Sequence, residues 1–173
     1  MLSGMPQAMI APITTIIDNN IFVLFNDSPT NKPSQRGDDI SLHRYDPPTD
    51  RWSPEPSLPR DFGRTWGAKA VAVGSTMLVA GGGENICARF DVNTRQWSKL
   101  ALGLPIHNYG SLVVSAGRVF LAGGQIYKDG DLLSDIIDEY IVARDRWVDT
   151  GARLPTPLWN HHAVTLDLPG EPQ

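Results

Sequence analysis

Three tryptophans, Trp52, Trp97 and Trp147, recur 45 and 50 residues apart, and each closes the same local pattern. The clearest copy runs from Ala68 to Trp97. An apolar run from Ala70 to Val73 meets a turn at Gly74 and Ser75, and a second run, Met77 to Ala80, ends in glycines. A third segment, Ile86 to Val92, sets Phe90 beside Asp91, and a polar turn from Asn93 to Arg95 then delivers Trp97. Short β-branched runs punctuated by Gly, Asn and Ser predict an antiparallel meander. The spacing of three to four that marks an amphipathic helix is missing from these units. Four short strands per unit cannot bury their own faces, so a repeat of this length predicts an all-β fold of sheets stacked on sheets.

The same order of features stands on both sides of that unit. Upstream, residues 13–27 give two strands around a turn at Asp18 to Asn20, and residues 40–52 supply Tyr45, Asp46 and Trp52. Downstream, residues 110–125 and 135–147 do so again, with Tyr140 and Trp147. Paired glycines (Gly81 with Gly82, Gly123 with Gly124), then Tyr or Phe, then Trp, resemble the kelch repeat, and the resemblance covers almost the whole chain. It implies a kelch-type β-propeller, here incomplete: blade 1 at about 13–53, blade 2 at about 65–100, blade 3 at about 107–149. A lone closing strand is expected at about 159–167, with Asn160 to Leu166 matching Asn108 to Val114. Blade 1 departs from the pattern, because Asn26 and Asp27 replace the glycine pair, and residues 28–39 read as an exposed loop. Residues 1–12 read as a connection, and Pro54, Pro56 and Pro59 as the crossing into blade 2.

Three blades and one strand cannot close a ring that needs about four to eight. Resemblance to BTB–Kelch proteins implies that the chain is the C-terminal half of a propeller whose other blades, with BTB and BACK domains, lie upstream. A homodimer of half-rings is the alternative. That family resemblance further implies a non-enzymatic protein-interaction module, the substrate-recognition part of an adaptor for a cullin-type ubiquitin ligase. Two other readings are a kelch scaffold without BTB, cytoskeletal or signalling, and a propeller enzyme such as a copper oxidase. The oxidase needs a tyrosine near a cysteine and converging histidines, which this sequence does not set together.

Composition narrows the partners. The 173 residues carry a net charge of −4 with no Lys/Arg cluster longer than two, which argues against nucleic acid. The single cysteine, Cys87, cannot form an internal disulfide, so a reducing compartment is expected, cytoplasmic or nuclear. No apolar run approaches the roughly 18 residues of a membrane span.

The glycine pairs are expected where a side chain would collide with backbone; cradling phosphate would need a helix behind them. Tyr45, Phe90 and Tyr140, with the three tryptophans, are expected to fill the space between blades. By the same resemblance, partner proteins or peptides dock on the rim of the central channel. The residues carried there are Arg64, Thr65 and Trp66 before blade 2; His107, Asn108 and Tyr109 before blade 3; Trp159, Asn160 and His161 before the last strand; and Gln125 and Tyr127 in a loop, with Glu84 and Asn85 as further loop candidates. His161 and His162, adjacent on a strand, face opposite sides and cannot share one metal ion. No metal or cofactor is expected, and no nucleophile stands in a motif with its base.

Overall fold

The computed structural model describes residues 3–5, 10–26, 40–100, 107–127 and 131–166. Blade 1 consists of β1 (Ile10–Ile17), β2 (Asn20–Asn26), β3 (Ile40–Asp46) and β4 (Arg51–Leu58), hydrogen-bonded in chain order. A short 3-10 turn, Arg60–Phe62, leads to blade 2: β5 (Ala68–Val73), β6 (Thr76–Gly81), β7 (Ile86–Asp91) and β8 (Gln96–Lys99). Blade 3 is built from β9 (Ser111–Ser115), β10 (Arg118–Ala122), β13 (Ile136–Ile141) and β14 (Arg146–Arg153). A small hairpin, β11 (Gln125–Tyr127) with β12 (Asp131–Leu133), is inserted between its second and third strands. Every pairing is antiparallel.

Local chemistry sets the turns. Asp18 and Asn19 take φ of 49° and 61°, and Ala116 and Gly117 take 47° and 72°. Two consecutive left-handed residues give the turn whose twist matches a tight hairpin. Between third and fourth strands, one left-handed residue recurs at Asp50, Arg95 and Asp145, with φ of 52°, 56° and 46°.

Alternation along the strands then builds two seams. One face of blade 1 (Ile13, Phe22, Leu24, Leu42) packs on Met77, Val79, Ala88 and Phe90 of blade 2. The other face of blade 2 (Leu78, Ala80, Cys87) packs on Leu112, Val119, Leu121, Tyr140 and Trp147 of blade 3. Covered on both sides, β6 is buried continuously from Met77 to Gly81 instead of alternately. The inner strands β1, β5 and β9 lie side by side, so the three sheets fan around one channel.

Several boundaries differ from the sequence expectation. β1 begins at Ile10, because an irregularity at Ala11, φ 48°, lets the strand pair with Asn26 before its regular register starts at Ile13. Pro54 and Pro56 lie inside β4 and not in a crossing; an edge strand has an unpaired side on which proline costs no ladder bond. β14 continues to Arg153, beyond the expected end of blade 3. Asp27 and the loop of residues 28–39 lie outside the described residues.

The largest difference is the closing segment, which forms no strand over 154–166. It nevertheless sits where a fourth inner strand belongs. The Tyr109 amide donates to the Gly67 carbonyl at 3.0 Å, and the Asn160 amide donates to the Tyr109 carbonyl at 2.8 Å. Gly67, Tyr109 and Asn160 share left-handed φ values of 77°, 56° and 51°. These three residues are therefore equivalent, and Asn160 matches Tyr109, not Asn108. Farther along, the Thr165 hydroxyl donates to the Val114 carbonyl. A strand ladder needs a second strand beside it, and none of the described residues offers one here.

Candidate functional site

The glycine pairs fix the rim by contact. A Cβ on Gly81 would lie 2.9 Å from the His107 carbonyl oxygen, and one on Gly123 would lie 2.7 Å from that of Leu158. The first glycine of each pair thus abuts the lead-in of the next inner strand. The second abuts its own blade's lead-in: a Cβ on Gly82 would meet the Trp66 carbonyl oxygen at 2.8 Å, and one on Gly124 that of Asn108 at 3.0 Å. All four have positive φ. Only glycine combines that backbone angle with so close an approach.

Residues expected on the rim divide by burial. Thr65, His107 and Asn108 are buried and form the wall that holds the rim. His107 places Nε2 2.8 Å from Asp138 Oδ2 and Nδ1 2.5 Å from the Gly123 carbonyl oxygen, tying the blade-3 lead-in to β13 and to the glycine pair. Asn108 exchanges backbone hydrogen bonds with Gln125, which seats the β11–β12 hairpin beside it. Arg64 is exposed; its backbone amide donates to Glu84 Oε2 at 2.9 Å, and its side chain lies 3.5 Å from Oε1. Trp66 and Trp159 are 40% and 51% exposed. The Tyr109 ring meets Trp159 edge-on, with centroids 5.9 Å apart. Asn160 is exposed, whereas His161 is half-buried against Gly123. Tyr127 is the last residue of β11.

Sequence reasoning overlooked three leucines on this face. Leu132 and Leu133, on β12, are 60% and 45% exposed, and Leu158, before Trp159, is 43% exposed. The Leu158 amide reaches the Ser134 carbonyl at 3.3 Å, joining the hairpin to the last lead-in. Two adjacent leucines in an otherwise polar loop were the available signal. Leu158 adjoins Trp159 in the chain, and Trp159 packs on Tyr109, so exposed apolar side chains gather at the last lead-in, the kind of feature that marks interaction sites. Among the described residues, no three His, Cys, Asp or Glu side chains gather as metal ligands.

Away from the rim, the aromatic pairs act as wedges. Tyr45 with Trp52, Phe90 with Trp97 and Tyr140 with Trp147 pack at centroid distances of 5.0, 5.2 and 5.2 Å. The wedges of blades 2 and 3 reach back toward the preceding blade. Trp97 Nε1 donates to the Pro56 carbonyl of blade 1 at 2.8 Å, and Trp147 Nε1 points at Cys87 Sγ of blade 2 at 3.4 Å. Trp52 has no preceding blade among the described residues, and its Nε1 is buried without a partner. Cys87 is buried, and burial pushes its thiol pKa up to about 11.

Four-stranded antiparallel sheets fanned around a channel, locked by glycine pairs and wedged by Tyr/Phe–Trp pairs, define an all-β, kelch-type propeller segment. The chain is 26% identical to Kelch-like protein 34 from Homo sapiens over 95% of its own length and 27% of that protein's. It is 27% identical to Kelch-like protein 21 from Homo sapiens over 70% of its length, covering 20% of that protein. It thus spans about a quarter or less of the curated relatives it matches. The solved structure of YjhT shares its fold, with a TM-score of 0.68 at 17% identity, over 90% of this chain and 56% of the other. No protein-family model matches. The kelch resemblance read from the residues is borne out.

Proposed function

We propose that this chain is a non-enzymatic protein-interaction module whose docking surface is the face of the propeller at the inner-strand lead-ins. The observation that carries the reading is the pair of exposed tryptophans there, Trp66 and Trp159, with the half-buried Tyr109 packed edge-on against Trp159, on a frame fixed by Gly123, Gly124 and His107. Aromatic side chains offer large contact area at low entropy cost and are enriched where partners bind. Similarity to Kelch-like proteins 34 and 21 supports the same reading. The finer form is a substrate-recognition segment of a BTB–Kelch adaptor, with BTB and BACK domains upstream engaging a cullin-type ligase. The second reading is a kelch scaffold without BTB; the gene's upstream sequence separates the two.

The test is a partner captured by proximity labelling with the full-length gene product, then titrated against the purified protein. Trp159→Ala, at a half-exposed position, should weaken binding by about tenfold or more while leaving melting near wild type. Unchanged binding in that variant and in Trp66→Ala would sink the reading. Recovery of no cullin with the full-length product would remove the ligase part alone.

Ring closure follows the same logic. Residues 160–166 already occupy the fourth inner-strand place, where a second copy would have to seat its own β1. We therefore favour upstream blades over a dimer of half-rings. Gel filtration giving a discrete species near twice the 19.0 kDa chain mass would reverse that preference.

A further inference from the structure

A cavity of about 570 Å³ lies between the inner strands β1, β5 and β9 and residues 160–165. Among the described residues its wall carries Lys69 and His162 but no aspartate or glutamate. Counting two residues on from the equivalent left-handed positions Gly67, Tyr109 and Asn160 gives Lys69, Ser111 and His162. The three are equivalent positions on successive segments lining the cavity, with the segment of Ser111 between those of the two basic residues. Among the described residues the Lys69 ammonium takes part in no ion pair or hydrogen bond, whereas Arg64, Arg95, Arg118 and Arg153 are each paired with an acid. The local field is positive as well. Burial lowers the pKa of His161, and the charges of Lys69 and His162 lower it further. An ammonium in a concave wall, partly withdrawn from water and with no counter-charge among the described residues, is stabilised by any anion that can approach it.

We propose that this channel cavity is an anion site, in which Lys69 and His162 hold a carboxylate or phosphate group from opposite sides of Ser111. The hydroxyl of Thr14, also on the wall, is a further donor within the cavity. Thr65, Tyr109 and Asn160 line both the cavity and the rim, but Trp66 and Trp159 do not reach the cavity, so a ligand on Lys69 needs no contact with either tryptophan.

Isothermal titration of the 173-residue chain with sodium phosphate, and separately with succinate, in low-salt buffer tests the assignment. Saturable binding of at least one anion is expected, weakened about tenfold or more by Lys69→Met and less by His162→Gln. Trp159→Ala should bind the anion as wild type does, which keeps the result independent of the rim reading. Binding of phosphate alone would assign a phosphate-bearing ligand, and binding of succinate alone a carboxylate. Lys69→Gln serves as the second variant, and both are compared with wild type only after their circular dichroism spectra are matched. Absence of saturable binding by either anion, or binding that both Lys69 variants leave unchanged, overturns the proposal.

Discussion

The two seams between blades use one wedge and two different polar locks. Between blades 2 and 3, Tyr140 is buried and its hydroxyl donates to Asp145 at 2.6 Å, five residues on, while the Trp147 indole points at a buried thiol. Between blades 1 and 2, the corresponding aromatic is Phe90, and the residue five on is Arg95 instead of an acid. Without a phenol to satisfy, that turn position is free to reach across the seam, and Arg95 Nε lies 2.8 Å from Glu55 of blade 1. Blade 1 itself returns to the first arrangement, with the Tyr45 hydroxyl 2.8 Å from Asp50. The comparison teaches that the aromatic and the turn residue vary together. A hydroxyl calls for an acid within its own blade, and its loss releases that position to bind the neighbour.

The sharpest break would come from removing a wedge. Phe90→Ala and Trp147→Ala should each lose roughly 3–5 kcal/mol in denaturant unfolding, because both rings are buried in a seam. Trp97→Ala should lose less, since its indole is only half-buried. A larger loss at Trp97 than at Trp147 would mean that burial of the indole does not set the size of the effect.

Next in size are the contacts at the rim. Gly123→Ala combines a φ of +63° with a backbone oxygen 2.7 Å from the new Cβ, and a loss of about 1–3 kcal/mol is expected. Gly74→Ala, also left-handed but with no atom within 4 Å of its Cβ, should cost only about 1–2 kcal/mol. Equal losses at the two sites would mean that backbone angle, not approach, requires the glycine pairs.

Exchanging the aromatics tests the covariation directly. Phe90→Tyr buries a hydroxyl opposite Arg95 and should cost about 1–3 kcal/mol, whereas Tyr140→Phe should cost about 1. If Phe90→Tyr proves neutral, the link between aromatic and turn residue fails.

The thiol in the second seam predicts a pH dependence. Burial raises the Cys87 pKa from 9.0 to about 11, so the folded chain holds this proton more tightly than the unfolded one. The resulting stability is complete below pH 9 and is lost as pH rises through 9 toward 11. Unfolding midpoints across that window should fall more steeply for wild type than for Cys87→Ala, and parallel curves would count against burial of the thiol. The smallest effect belongs to the first seam's ion pair. Arg95→Ala should cost no more than about 1 kcal/mol, and less at high salt, because its guanidinium is largely exposed.

Much of the fold was legible because strands and turns are local. Short β-branched runs, the turn at Asp18 to Asn20 and the recurring tryptophans are all specified within a few residues, and strands and turns form at those residues. The rim was legible only in outline. His107 and Asn108 look in sequence like polar residues before a strand, yet Asp138 and Gln125, distant along the chain, draw them inward. Leu132, Leu133 and Leu158 look like core residues and stand exposed. Nothing local distinguishes the two cases, because burial at a rim depends on which neighbouring blade lies against it.

The sequence by itself determined the repeat: strand lengths, turn chemistry, the aromatic that ends each unit and the glycine pairs that permit close approach. Those follow from backbone sterics and side-chain alternation, which act over a few residues. Tertiary structure alone decided that Asn160 stands in register with Tyr109, and that the last segment keeps its inner-strand place without a ladder. It also decided which polar groups at the lead-ins face water. Each of these is a contact between residues tens of positions apart, settled only when one sheet packs against the next.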